Sequence, residues 1–178
     1  MEFDDLKSEL LSVVDTGLKH GKALDDSCEY EVFMYYRQFA EANIQQGIVT
    51  ASDGAIAGTA VRVAKGKKVG FAASSDISEE SVKKSVYEAH SVTELLKQDD
   101  ERFAGFADPA PPGKDGIINK DILALGIDDL IEASGILVKN AQAVGKDVKM
   151  LVQAGTEIEW GSYAVGNTSG VQEATLFA

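Results

Sequence analysis

The chain has 178 residues, with 29 acidic and 17 basic side chains, a formal net charge of -12 and 44% apolar residues. A chain of this length can bury a hydrophobic core without disulfides, and its apolar fraction excludes general disorder. The acidic balance argues against direct nucleic-acid binding, because Lys and Arg contacts to phosphates supply most of that affinity.

The only cysteine, Cys28, cannot form an intramolecular disulfide and fits a reducing compartment. Acidic residues follow Met1 where a secretory signal would carry basic ones, and no apolar run approaches membrane-spanning length. These features predict a soluble, cytoplasmic protein that contacts no membrane.

The first half predicts a helix followed by an antiparallel meander. Apolar residues at three- and four-residue steps indicate a helix over 3–20 that stops at Gly21. Alternation and β-branched or aromatic types then predict four strands, Tyr30–Arg37, Glu41–Thr50, Ile56–Val63 and Val69–Ala73. Ser52-Asp53-Gly54 and residues 65–68 are the predicted turns before the third and fourth strands.

Two more helices are predicted, one capped by Ser78 and one over 128–144 that closes at Gly145. Between them, residues 98–116 contain all three prolines and predict an extended connection. Strands at 148–159, 163–167 and 171–177 follow, with a turn at 168–170. The order of elements in the second half echoes the first. We therefore predict an α+β fold with a mostly antiparallel curved sheet, three main helices and a repeated helix-plus-strands unit.

No motif in the sequence predicts catalysis. The two histidines, His20 and His90, lack the helical spacing of a metalloprotease motif, which favours solvated or capping roles. Ser81-Val82-Lys83-Lys84 has the Ser-x-x-Lys spelling of serine acyl-enzymes, but the companion motifs are absent. The glycines lack the spacing of a nucleotide-binding loop, so we predict no catalytic, cofactor-binding or metal residue.

Arg62 is the charged residue that stands out. It lies between Val61 and Val63 on a predicted strand, so its side chain is on the opposite face of that strand from theirs. Exposure to solvent is the favoured interpretation, and a binding role is the alternative.

Several segments, in this order, resemble the N-terminal domain of the TldD/PmbA family, proteins once called modulators of DNA gyrase. The resemblance spans nearly the whole chain and rests on Tyr30-Glu31-Val32, residues 58–63, residues 66–72, the helix led by Ser78, residues 99–109 and residues 165–170. Arg102-Phe103 before Asp108-Pro109 favours the PmbA branch, also called TldE.

The resemblance implies a protein of two domains, with a first domain over 1–168 and the start of a second over 169–178. The break of a predicted strand at Ala178 fits such a division. In the TldD branch the later domain carries a zinc-binding His-Glu-x-x-x-His helix, and in the PmbA branch that motif is lacking. Zinc is therefore expected, if at all, outside this chain, and whether the whole protein is an enzyme stays open.

The resemblance also implies a homodimer or a heterodimer with a TldD/PmbA-type subunit, acting on flexible peptides. We expect this domain to shape peptide access and dimer assembly, with the strands at Tyr30–Arg37 and Ile56–Val63 offering edges for strand addition. The predicted peptide or interface residues are Arg62, Tyr30, Val32 and Phe71. A non-catalytic assembly module is the alternative, and modulation of DNA gyrase is a weaker one.

Overall fold

A computed structural model describes residues 2–111, 118–144 and 153–178. The helices are α1 (Leu6–Leu24), α2 (Glu79–Leu95) and α3 (Ile127–Ala143), with short 3-10 helices at Phe3–Asp5 and Lys120–Ala124. The strands are β1 (Glu29–Gln45), β2 (Ile48–Lys65), β3 (Lys68–Ser74), β4 (Ala154–Asn167) and β5 (Gln172–Phe177).

The five strands form one sheet in the order β3-β2-β1-β4-β5. β2 and β3 pair antiparallel from Thr59 opposite Ser74 to Lys65 opposite Lys68, across the predicted turn at Gly66. Three helices and an antiparallel sheet confirm the predicted α+β class.

The first half contains three strands where the sequence predicted four. The β1–β2 hairpin turns at Gln46 and Gly47, whose φ angles are 50° and 81°, and such positive values suit two-residue hairpin turns. The predicted turn at Ser52-Asp53-Gly54 is wrong, because these residues lie within β2. Gly54 instead lets the strand approach Phe39, since a Cβ there would lie 3.3 Å from the ring.

The second half shows the same kind of difference. Residues 154–167 form the single strand β4, so the predicted break between 159 and 163 is wrong, while residues 148–152 lie outside the described part. The turn before β5 is confirmed, with Gly170 at φ 105°. β5 belongs to the same sheet, and the domain boundary at 168 stays a prediction.

The helices begin largely where predicted. Ser78 caps α2, since its Oγ accepts the Ser81 N–H at 3.2 Å, and α3 begins one residue before the predicted position. The predicted stop of α1 at Gly21 is wrong, because the helix continues to Leu24. Gly21 faces the Tyr30 ring, and a Cβ there would lie 2.5 Å from its Cδ1, so the glycine permits close packing.

The chain divides into two compact units. The first comprises Met1–Tyr36, Ile56–Gly116 and Gly161–Leu176. It contains the hydrophobic core, formed by buried side chains of α1, α2, the strands and the connection between α1 and β1: Leu10, Val14, Leu18, Cys28, Tyr30, Val32, Met34, Val61, Val63, Val82, Val86, Ala89 and Ala164. Burial of this apolar surface is the main stabilising term for the unit.

The second unit comprises Arg37–Ala55, Ile117–Trp160 and Phe177–Ala178. Its buried interior includes polar groups. The Ser134 hydroxyl donates to the Ala42 carbonyl at 3.0 Å and lies 2.9 Å from Thr156 Oγ1, which bonds the Leu130 carbonyl. Among the described residues of either unit, no helix combines the length and apolarity needed to cross a membrane.

Candidate functional site

The sheet of the first unit has a core face and an outer face. Successive strand residues point to opposite faces, so Tyr30, Val32 and Met34 of β1 pack into the core. Of the four predicted interface residues, Tyr30 and Val32 are therefore fully buried. Arg62 and Phe71 lie at the surface, so these two of the four predicted residues are accessible to a partner.

Arg62 and Phe71 stand directly opposite each other on β2 and β3. The Arg62 Nε donates to Glu31 Oε1 at 2.8 Å, and its guanidinium lies 5.2 Å from the centre of the Phe106 ring. These contacts hold an exposed cation in one orientation, beside a phenylalanine that is 57% exposed.

Three further aromatic rings continue this face across β1 and β4. Tyr163 stacks on Tyr35 with ring centres 5.0 Å apart and lies 6.2 Å from Phe33. A shallow cavity of about 200 Å³ opens beside Phe33 and Tyr163. We call Phe33, Tyr35, Arg62, Phe71 and Tyr163 the aromatic face. Exposed clusters of this composition are typical of protein interaction surfaces.

A second surface lies along β2. β3 pairs with β2 only from Thr59 to Lys65, so residues 48–58 of β2 extend past the end of β3. We call residues 48–58 the β2 extension. Its exposed apolar side chains are Ile48, Val49 and Ile56.

The β2 extension corrects the expected position of the free strand edges. The prediction for Tyr30–Arg37 is wrong, because β1 lies between β2 and β4 and is hydrogen-bonded on both sides. The second predicted edge, Ile56–Val63, is mostly covered, because residues 59–63 pair with β3 and only residues 56–58 lie beyond that pairing.

A third feature is a polar cluster, formed by Asp25 after α1, Cys28 before β1, and His90 and Glu94 one turn apart on α2. One ligand atom from each of these residues lies within 4.8 Å of the others. The Lys65 Nζ, at the end of β2, donates to Glu94 Oε1 at 2.7 Å and to Asp25 Oδ2 at 3.2 Å. We call Asp25, Cys28, His90 and Glu94 the Asp25 cluster.

The contacts of the Asp25 cluster shift the pKa values of its members. Hydrogen bonds from the Ser27 side chain and N–H, and then from Lys65, lower the pKa of Asp25. Burial, with the nearby Asp25 carboxylate, raises the pKa of Cys28 to about 11. Hydrogen bonding to Lys65 lowers the pKa of Glu94, and the same bond is the main reason that the pKa of Lys65 is raised.

The Asp25 cluster was missed at the sequence level, where His90 was assigned a solvated or capping role. One local signal was available, because His90 and Glu94 stand four residues apart on a predicted helix and so share a face. Asp25 and Cys28 reach them only through the tertiary fold.

The family resemblance associates peptide hydrolysis with a zinc-binding motif. The sequence contains no His-Glu-x-x-x-His motif, since His20 is followed by Gly21 and His90 by Ser91. The Asp25 cluster also differs in type, because its Cys28 thiol and Lys65 partner are not features of a histidine-based hydrolytic site with an open position for water.

Residues 30–92 match the family model described as PmbA/TldA metallopeptidase domain 1. The matched segment is about a third of the chain, and over that segment the chain is similar to the first domain of the PmbA/TldD family. The matched segment includes β1 except Glu29, all of β2 and β3, and most of α2, and thus the strands of the aromatic face other than β4. A comparison with curated proteins finds no match.

Three solved structures share the fold of this chain. TldE from Thermococcus kodakarensis is 22% identical with a TM-score of 0.81, and 93% of this chain aligns with 37% of that protein. Two proteins described as "putative modulator of DNA gyrase" also match. The one from Thermotoga maritima has 14% identity, a TM-score of 0.71 and coverage of 92% and 37%. The one from Bacteroides thetaiotaomicron has 16% identity, a TM-score of 0.70 and coverage of 93% and 38%.

The chain thus spans less than two fifths of the length of each of these structures. At such identities the likeness concerns the fold. It does not distinguish the PmbA branch from the TldD branch.

Proposed function

We propose that this chain is the N-terminal domain of a PmbA/TldD-type protein of the metallopeptidase family, and that it guides flexible peptides toward catalytic groups supplied elsewhere. The family match supports the metallopeptidase context, because the matched model is named for it. We also propose that the whole protein belongs to the metal-free PmbA branch and acts in the cytoplasm. Any zinc used by the assembly would then lie outside this chain. These proposals rest on residues 99–109, the lone cysteine and the resemblance.

The observation that carries the peptide role is the β2 extension. Among the described strands β2 has only β1 and β3 as neighbours. A strand that runs past its neighbour presents unpaired N–H and C=O groups, and proteins usually protect such edges with charges, proline or a covering segment. Here the extension exposes Ile48, Val49 and Ile56. A peptide that paired with it would add a strand at this edge of β2, and main-chain hydrogen bonds would accept varied sequences. Flexible, unstructured substrates suit this mode.

The test places charges on the β2 extension. In V49K/I56K the two lysines oppose pairing by another strand, as charged edge residues do in natural sheets. We expect at least tenfold weaker binding of a labelled, uncharged, unstructured peptide, measured by fluorescence anisotropy. The matched control is I136K/L137K on α3, because these four side chains are all between 44% and 50% exposed. Equal binding by V49K/I56K and the unsubstituted chain would contradict the peptide role.

A second candidate function, assembly with a TldD/PmbA-type subunit, rests on the aromatic face. Exposed aromatic side chains and an oriented arginine are the groups that most often dominate the energy of protein interfaces. The aromatic face and the β2 extension share no residue, so the assembly role and the peptide role are compatible.

Sedimentation velocity separates assembly from the peptide role. Phe71→Glu adds charge to the aromatic face, and Tyr87→Glu on α2 is the control, because the two side chains are 57% and 58% exposed. If the aromatic face assembles the protein, F71E shifts the chain, alone or with its partner subunit, toward the monomer and Y87E does not. Identical sedimentation of both variants would contradict this candidate.

Modulation of DNA gyrase is the third candidate, and the names of two structural relatives favour it. The net charge of -12 opposes direct binding to DNA. Salt-dependent binding to duplex DNA would support this candidate. If no binding to duplex DNA were found at low salt, modulation of gyrase through direct DNA binding would be contradicted.

A further inference from the structure

The Asp25 cluster takes no part in the proposed peptide or assembly roles, and it contains an unusual buried group. His90 Nε2 is shielded from solvent and has no hydrogen-bond partner among the described residues. It points at the Asp25 carboxylate from 3.6 Å, beyond hydrogen-bond length. Buried polar atoms in folded proteins nearly always have a partner, and an unpaired one calls for an explanation such as a bound ion.

The donor types around His90 are those of a transition-metal site. The cluster offers one thiol, one imidazole and two carboxylates, a set that suits Zn²⁺ better than Mg²⁺ or Ca²⁺, which prefer oxygen ligands alone.

The spacing of the ligand atoms also fits. Cys28 Sγ lies 3.3 Å from Asp25 Oδ2, and His90 Nε2 lies 3.6 Å from the same atom. In a tetrahedral zinc site the ligand atoms are roughly 3.3–3.8 Å apart, as follows from metal–ligand distances of about 2.0–2.3 Å. Two of the six distances between ligand atoms thus already match the required separations, and the other four are at most 4.8 Å.

We propose that Asp25, Cys28, His90 and Glu94 form a structural binding site for a zinc-class divalent metal ion. Such an ion would link the connection between α1 and β1, which carries Asp25 and Cys28, to the last two turns of α2, which carry His90 and Glu94. The site would stabilise the first unit and would perform no hydrolysis.

Lys65 is the built-in competitor for this ion. Its ammonium donates to both cluster carboxylates and so supplies positive charge where the metal would bind. On metal binding the thiol proton of Cys28 passes to the buffer and a Cys28 thiolate bonds the ion. The Lys65 Nζ leaves the two carboxylates for solvent, which its position on the exposed side of the cluster allows, since the side chain is 43% exposed.

The experiment titrates the full chain, reduced with a non-thiol reductant and stripped of metal, with Co²⁺. We expect one equivalent to bind with a near-ultraviolet thiolate-to-cobalt charge-transfer band, and Zn²⁺ to displace the cobalt and abolish the band. C28S removes the band, and H90Q weakens Co²⁺ binding at least tenfold. H20Q is the matched control, because His20 is the other histidine of the chain and lies on α1 outside the cluster.

Lys65 gives an independent variant. K65M removes the competing ammonium and is expected to bind Zn²⁺ at least tenfold more tightly than the unsubstituted chain, while K84M leaves affinity unchanged. Absence of the cobalt band, its persistence in C28S, or equal affinity in H90Q and H20Q would overturn the proposal. Binding by K65M alone would also overturn it, because Lys65 and not a metal ion would then occupy the cluster in the natural sequence.

Discussion

The two units of the chain are stabilised in different ways. In the first, α1 and α2 cover the core face of the sheet, and a continuous set of apolar side chains is buried. In the second, the buried side chains among the described residues are Ala42, Leu130 and Ser134, and one of these is polar. α3 of that unit exposes Ile136 and Leu137.

This difference relates stability to function. Apolar burial supplies most of the folding free energy, so the first unit is expected to resist unfolding more strongly. Binding segments are usually drawn from the less stable parts of a protein. Most of the β2 extension, residues 48–55, belongs to the second unit, while the Asp25 cluster belongs to the first.

The largest effect is expected at Gly70 in the first unit. A Cβ at this position would lie 2.3 Å from the Ala89 carbonyl oxygen and 2.7 Å from the Thr93 backbone nitrogen, both on α2. Because helix backbone cannot move aside cheaply, Gly70→Ala should lower the free energy of unfolding by about 3 kcal/mol or more. Urea denaturation followed by circular dichroism measures the change.

The control for Gly70 is a glycine of the second unit. Gly135 lies inside α3, and a Cβ there would meet no atom within 4 Å. Gly135→Ala should therefore stabilise the helix by about 0.5–1 kcal/mol. Equal losses of stability in the two variants would show that packing around Gly70 is looser than the structure indicates.

A matched pair of leucines compares the units directly. Leu10 in α1 is 1% exposed and Leu137 in α3 is 47% exposed. Leu10→Ala should cost about 3 kcal/mol, because it leaves a cavity in the core. Leu137→Ala should cost less than about 1 kcal/mol, as surface substitutions do. Chemical denaturation of both variants tests the comparison, and similar losses would contradict the assignment of the main core to the first unit.

A smaller effect is expected at Thr93, a buried polar residue of α2. Its Oγ1 accepts the Gly70 N–H at 3.0 Å and lies within 3.0 Å of the Val63 and Ala89 carbonyl oxygens. Thr93→Val keeps the shape but leaves the Gly70 N–H without its acceptor, at a cost of about 1–3 kcal/mol. Thr93→Ser retains the hydroxyl and should lose less stability. A larger loss in the serine variant would mean that the methyl group matters more than the hydrogen bond.

Much of the fold follows from local sequence patterns. The helical periodicity of α1, α2 and α3 and the cap at Ser78 are properties of short segments, and the structure confirms them. The alternation around Arg62 correctly predicted that this side chain is exposed. In each case neighbouring residues along the chain contain the necessary information.

The errors arose where distant contacts override local preference. Gly21 and Gly54 carry the sequence signature of a helix stop and a turn, yet each lies against an aromatic ring contributed by another element. The length of β1 and β2 likewise depends on their pairing with each other. The Asp25 cluster joins residues up to 69 positions apart (94 minus 25), so its chemistry emerges only in the tertiary structure.

Amide hydrogen exchange along β2, with and without peptide, tests the central proposal most directly. Without peptide we expect slow exchange for residues 59–65, which pair with β3, and fast exchange within residues 48–58. A saturating, unstructured peptide should slow exchange in the β2 extension and leave residues 59–65 unchanged. Exchange in the extension that stays equally fast at saturating peptide would contradict strand addition at this edge.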